Sequence, residues 1–143
     1  MQGPKIKQTV LFLCTGNSCR SQIAEGLLRH LAGERSEAAS AGTHPAGLNP
    51  GAVAAMQEIG IDISSHRSKG VDEYRDARFD YVITVCDRAK ETCPIFPASS
   101  VQLHWSFEDP ATAQGAAAER QAVFRRVREQ IAERMRRFIQ SGA

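Results

Sequence analysis

No stretch of the 143 residues approaches the roughly 20 consecutive apolar positions that a membrane-spanning helix needs, so a spanning protein is excluded. Aromatic residues make up only 6%, the formal charge is only +2, and no block of like charges occurs, which removes the electrostatic and stacking footprint of a nucleic-acid binder. Residues 1–8 are polar, and the apolar run at 10–13 is too brief for a signal-peptide core, so export is not expected. His30, His44, His66 and His104 show no ligand spacing and read as caps, turns or surface residues, and no metal site is expected. There is also no internal repeat and no linker. What is present is 42% apolar and 24% charged residues over 15.6 kDa, the size and composition of one soluble globular domain spanning 1–143. Four cysteines stand out: Cys14, Cys19, Cys86 and Cys93. In a chain expected to be cytoplasmic, thiols are more often catalytic, buried or metal-bound than cross-linked.

Residues 9–13 (Thr-Val-Leu-Phe-Leu) form a continuous apolar run, the signature of a strand covered on both faces. Ile23, Ala24, Leu27, Leu28 and Leu31 then recur at helical spacing, with Gly33 placed to end the helix in a left-handed cap. Residues 37–42 predict a second strand. Asn49-Pro50 predicts a helix start, with Val53, Met56 and Ile59 following at helical spacing. Residues 79–85 predict a third strand and 100–104 a short fourth one at an edge. Val123, Phe124, Val127, Ile131, Met135 and Phe138 draw one stripe along a long C-terminal helix, whose arginines read as a solvated face interleaved with glutamates. Strands alternating with helices predict an α/β fold with a parallel sheet flanked by helices on both faces. Ligands in such sheets gather at the carboxyl ends of the strands, and Cys14 opens a loop at such an end.

That loop is Cys14-Thr15-Gly16-Asn17-Ser18-Cys19-Arg20, followed by Ser21. A small-residue loop between a buried strand and a helix N-terminus turns successive backbone N–H groups toward one point and binds a tetrahedral oxyanion there. Arg20 completes the ring, because its planar fork matches two oxygens of a phosphate-like group at once. The same field favours the thiolate of Cys14, and Ser21 is placed to donate a hydrogen bond to its sulfur. Cys19 reads as a packing residue, although its backbone belongs to the loop. Cys86 and Cys93 bracket six residues, a spacing that fits no zinc pattern. If the segment between them is helical they stand about 10 Å apart, too far for a disulfide without local remodelling.

With its Cys-x5-Arg loop directly after the first strand and Asp109-Pro110 near the far end, the sequence resembles the low-molecular-weight tyrosine phosphatase superfamily. Cys14 with Asn17 and Arg20, the pair Cys86 and Cys93, and Trp105-Ser-Phe-Glu-Asp-Pro110 together resemble its thioredoxin-coupled arsenate reductases, over nearly the whole chain. The resemblance implies a three-layer fold around a four-stranded parallel sheet. It also implies reduction of arsenate to arsenite, with residues 15–21 and Arg20 holding the oxyanion, Cys14 as nucleophile and Asp109 as proton donor. A Cys14–Cys86 disulfide followed by a Cys86–Cys93 disulfide would carry the electrons, and thioredoxin would regenerate the chain. It implies no bound cofactor, and a monomer is expected. The alternative is a tyrosine or aryl phosphatase using Cys14, Arg20 and Asp109, possible also as a side activity. Phosphatases of this superfamily usually carry an aromatic residue after Asp-Pro, whereas Ala111 stands here. Some relatives hold a potassium ion beside the loop, at positions matching Asn17, Glu25 and Ser40; here the ammonium of Lys69 is expected to take its place.

Overall fold

In a computed structural model, residues 7–85 and 101–141 can be described. They contain β1 (Gln8–Cys14), α1 (Arg20–Ala32), β2 (Ser36–Gly42), α2 (Pro50–Gln57), β3 (Tyr81–Thr84), β4 (Val101–His104) and the C-terminal helix α3 (Ala117–Ser141). The four strands form one parallel sheet in the order β2-β1-β3-β4. The fourth strand is indeed at an edge. Cys86 and Cys93 lie outside the described residues.

The apolar run of the first strand has the burial its sequence demands: Val10, Leu11, Phe12 and Leu13 are all 0% exposed. Alternation along the strand sends Val10 and Phe12 to one face and Leu11 and Leu13 to the other, so both faces of the sheet are covered. Phe12 meets Trp105, which meets Phe138 of α3 edge-on at 5.4 Å, and Tyr81 packs against the same Phe138 at 5.0 Å. Val127, Ile131, Met135 and Phe138 of the expected stripe are buried on that face.

Asn49 caps α2 as its sequence predicts, accepting from Gly51 N–H at 2.8 Å, with Pro50 in the first turn. Gly33 departs from expectation. Its φ is −60°, an ordinary right-handed value, so no left-handed cap forms; a Cβ there would instead press on the Arg29 carbonyl oxygen, and close approach is what excludes a side chain. Leu31 and Ile59 also leave their expected stripes, at 40% and 39% exposure, because Leu31 sits in the last turn of α1 and Ile59 lies beyond the end of α2. The arginine face of α3 is solvated and paired with glutamates in the main, through Arg125 to Glu58 and Arg126 to Glu108. Arg128 differs in being buried: besides pairing with Glu58 and Glu129 it donates to the Ala55 carbonyl at 2.7 Å, at the carboxyl end of α2.

The order β2-β1-β3-β4 makes the gap beyond β1 and β3 a topological switch point, where successive crossovers leave in opposite directions. The loop after Cys14 opens there.

Candidate active site

The loop 14–20 has its carbonyls bound from outside. Thr43 N–H donates to Cys14 O (3.2 Å), His44 to Thr15 O (2.8 Å), Ala46 to Gly16 O (2.9 Å) and Asn49 to Ser18 O (3.1 Å). The Asn17 carbonyl accepts from the Gln22 side chain at 3.2 Å, and Gly16 O takes a second bond from Ser68 Oγ at 3.0 Å. A trans peptide holds its C=O and N–H on opposite sides. Five consecutive carbonyls directed outward therefore direct the five amides of residues 15–19 to the concave side. One of them is seen at work: Asn17 N–H donates to Cys14 Sγ at 3.1 Å. Asn17 has φ +46°, a left-handed value that asparagine tolerates better than most side chains.

The sulfur receives a second donor. The Asn17 side-chain amide donates to Ser21 Oγ at 2.8 Å, which leaves the hydroxyl hydrogen free to point at Cys14 Sγ, also at 2.8 Å. Asn17 is itself oriented, because its Oδ1 accepts from Lys69 N–H at 2.8 Å and from Gln22 Nε2 at 3.0 Å. A buried sulfur with an N–H and an O–H both aimed at it is arranged as an acceptor, the role of a thiolate.

Behind the loop lies a network that sequence spacing did not reveal. Gln22 Oε1 can only accept, so His66 Nδ1, 2.9 Å away, carries the proton. His66 Nε2 then faces an Arg29 Nη1 donor at 3.2 Å, which fixes the neutral tautomer. Burial is the main cause holding the His66 imidazole below its usual range, and the nearby Glu25 carboxylate opposes it. Glu25, itself buried, accepts from Ser40 Oγ at 2.6 Å and pairs with Arg29 at 2.9 Å and with the Lys69 ammonium at 3.8 Å. His66, expected as a cap, turn or surface residue, is thus a half-buried support of the loop, 44 positions from its partner Gln22.

Arg20, at the start of α1, spans toward the acid segment. Its Nη1 donates to the Phe107 carbonyl at 3.1 Å and its Nη2 lies 3.6 Å from Asp109 Oδ2. Its Nε is buried without a hydrogen-bond partner among the described residues, a donor suited to an oxyanion's oxygen. Asp109 caps the 3-10 turn Pro110–Thr112, accepting from Ala111 N–H at 3.0 Å, and stays over a third exposed. The fold therefore brings Cys14, residues 15–19, Arg20, Ser21 and Asp109 together. Among the described residues no group of three or more His, Cys, Asp or Glu side chains is arranged to hold a metal ion, and no helix is long and apolar enough to cross a membrane.

Cys19 is buried in the core, as its packing role requires. Burial pushes its thiol up to about 12, only partly opposed by the Ser18 hydroxyl. At pH 8 its thiolate would then be about one part in ten thousand, so an alkylating reagent is expected to leave Cys19 untouched in the folded chain and to modify it in urea. Peptide mass mapping checks this, and rapid labelling of Cys19 in the native chain would contradict it.

Residues 9–142 match the family model of the low molecular weight phosphotyrosine protein phosphatases. The chain is 48% identical over 136 residues to the arsenate reductase of Bacillus licheniformis, covering 95% of this chain and 98% of that one. A solved arsenate reductase in an oxidized state superposes with a TM-score of 0.81 at 31% identity, covering 95% of this chain and 99% of that one. The thioredoxin-dependent arsenate reductase of Corynebacterium glutamicum superposes with a TM-score of 0.72 at 33% identity, covering 94% of this chain and 60% of that one. The chain belongs to the low molecular weight phosphotyrosine protein phosphatase family and, within it, groups with the arsenate reductases.

Proposed function

We propose that this protein reduces arsenate to arsenite by a relay through three cysteines, recharged by thioredoxin. The observation that carries the reading is the Cys14 sulfur, receiving hydrogen bonds from Asn17 N–H and Ser21 Oγ beneath a ring of inward amides closed by Arg20. Residues 15–19 and Arg20 hold the oxyanion. The Cys14 thiolate attacks arsenic, forming an S–As bond, while Asp109 protonates the oxygen that leaves as water. Cys86 then attacks Cys14 Sγ. The S–S bond forms as the S–As bond breaks, its electron pair passes to arsenic, and arsenite departs. Cys93 attacks Cys86 in turn, which frees Cys14 as thiolate and leaves a Cys86–Cys93 disulfide for the external dithiol. No cofactor of the chain's own takes part, and the protein works as a cytoplasmic monomer, one domain of 143 residues.

Phosphate has the same shape and charge as arsenate, so the loop admits both, and weak phosphatase activity is a natural side reaction. The residue after Asp109-Pro110 is Ala111, which offers no ring to grip an aryl group. Arsenite release is measured with thioredoxin, its reductase and NADPH. Cys86→Ser is expected to release none, and Cys93→Ser about one arsenite per chain before stalling at the Cys14–Cys86 disulfide. Both should retain any aryl-phosphate hydrolysis. Full turnover by either variant would overturn the relay.

The Lys69 ammonium serves as the cation beside the loop. It donates to the Arg67 carbonyl at 2.8 Å, lies 3.8 Å from Glu25, and is held below its ordinary range by burial, with Glu25 opposing. Turnover is therefore expected to be equal in potassium and sodium chloride at matched ionic strength. A potassium-specific rise would contradict this.

A further inference from the structure

Residues 105–109 carry Asp109 without belonging to a helix or a strand. The last ladder bond of the sheet runs from Trp105 N–H to the Thr84 carbonyl at 2.8 Å. Beyond it, the Phe107 carbonyl accepts from Arg20 Nη1 at 3.1 Å, and Asp109 Oδ2 lies 3.6 Å from Nη2 of the same guanidinium. Asp109 Oδ1 is already used on Ala111 N–H, so Oδ2 is the oxygen that faces the oxyanion loop. Arg20 is a shared anchor, because the proposed reaction also calls on it to grip the oxyanion.

A second anchor comes from α3 and is independent of the oxyanion. Arg126 donates to Glu108 Oε1 from Nε at 2.8 Å and from Nη2 at 2.6 Å. Two N–H groups of one rigid plane on one oxygen set direction as well as distance. The base of this pair is firm, since the next residue of α3, Val127, is fully buried in the core. Neighbouring side chains therefore leave the segment for different partners, Glu108 for α3 and Asp109 for Arg20. Release of Glu108 frees the peptide between them to turn, and Asp109 turns with it. Both partners of the pair are about half exposed, 55% and 47%, so it adds little to stability and its effect on geometry can be separated from folding.

We propose that Arg126 is a positioning residue for the reaction: through Glu108 it holds the Asp109 carboxyl over the oxyanion loop while Arg20 is engaged with substrate. Arg126 touches neither the oxyanion nor the reacting atoms. The role rests on the proposed reaction, in which Asp109 protonates the departing oxygen as the S–As bond forms, and it adds no step to it.

Arsenite release with thioredoxin, its reductase and NADPH is the readout. Arg126→Gln is expected to lower kcat about tenfold and to change KM less than twofold, because residues 15–19 and Arg20 still hold the oxyanion. Glu108→Gln should lose as much, and the double variant no more than either single one. Arg126→Lys, which keeps a charge for Glu108, should recover part of the loss. In an Asp109→Asn chain, Arg126→Gln should lower kcat no further. Arg125→Gln is the control: it removes the neighbouring pair with Glu58, of similar length and exposure, and should melt and turn over like the native chain. The proposal is overturned if Arg126→Gln keeps the native kcat, if the loss lies in KM, if Arg125→Gln loses as much, or if the loss persists without the Asp109 carboxyl. Native turnover by Asp109→Asn would overturn the assignment of the acid, and the positioning role with it. A slow Asp109→Asn beside a native Arg126→Gln overturns the positioning role alone.

Discussion

Arg20→Lys is expected to lower kcat/KM for arsenate by about 100- to 1000-fold, the loss that follows removal of one oxyanion-stabilising donor. Lysine keeps the charge and loses the geometry. The guanidinium divides its donors: Nη1 is used on the Phe107 carbonyl, Nη2 leans toward Asp109, and Nε is buried and uncommitted among the described residues. A single ammonium is a point charge and cannot reach the carbonyl, the carboxylate and an oxyanion from one position. The loss should appear in both kcat and KM, since the same fork orients the ground state and meets the charge that grows on the oxygens as sulfur attacks. Steady-state kinetics on the variant decide the matter. A value within tenfold of the native chain would show that the amides of residues 15–19 bind the oxyanion without help.

Gly42→Ala carries the second large expectation. The end of β2 lies beside the nucleophile, with Gly42 paired in register with Cys14. A Cβ at position 42 would lie 2.6 Å from Thr15 O and 2.8 Å from Asn17 N, both backbone atoms of the loop. Backbone cannot swing aside as a side-chain tip can. The loop is also lashed to the segment 43–49 that follows Gly42, and Gly42 N–H is itself bonded to the Lys69 carbonyl at 2.8 Å. Overpacking of this kind costs roughly 1–3 kcal/mol of stability. The cost to activity should be larger than that stability loss suggests, because the displaced atom is the amide that donates to Cys14 Sγ. A misplacement of about 1 Å at a reacting group costs on the order of 100-fold in rate. Gly70→Ala is the control: it bridges to Gly42, but a Cβ there would meet only Pro45 Cγ at an ordinary 3.6 Å. It is expected to melt and turn over like the native chain. Equal behaviour of the two alanine variants would show that the loop accommodates the methyl group.

Much of this site was legible before any coordinates. A continuous apolar run at 10–13 that stops at a small-residue stretch reads as an inner strand, and a loop of Thr, Gly, Asn and Ser between it and a helical repeat reads as a tight turn at the strand's carboxyl end. Local chemistry therefore located Cys14, Arg20 and Ser21. The Asn49-Pro50 helix start was equally local, since the cap is made within three residues. Expectations built on helix ends fared less well. Gly33 obeys a close contact with the Arg29 carbonyl and not the left-handed preference of glycine, because the chain turns into β2 without needing a positive φ.

The sequence by itself determined the parallel α/β order, the small-residue loop and its candidate nucleophile, because each depends on neighbours within a few residues or on a periodicity that survives without contacts, whereas Asp109 became the candidate acid only through the family resemblance. Only the tertiary structure decided what supports them. The bond from His66 to Gln22, the Glu25 cluster with Lys69, and the outward lashing of the loop to residues 43–49 join segments far apart in the chain, and nothing in residue spacing encodes such a meeting.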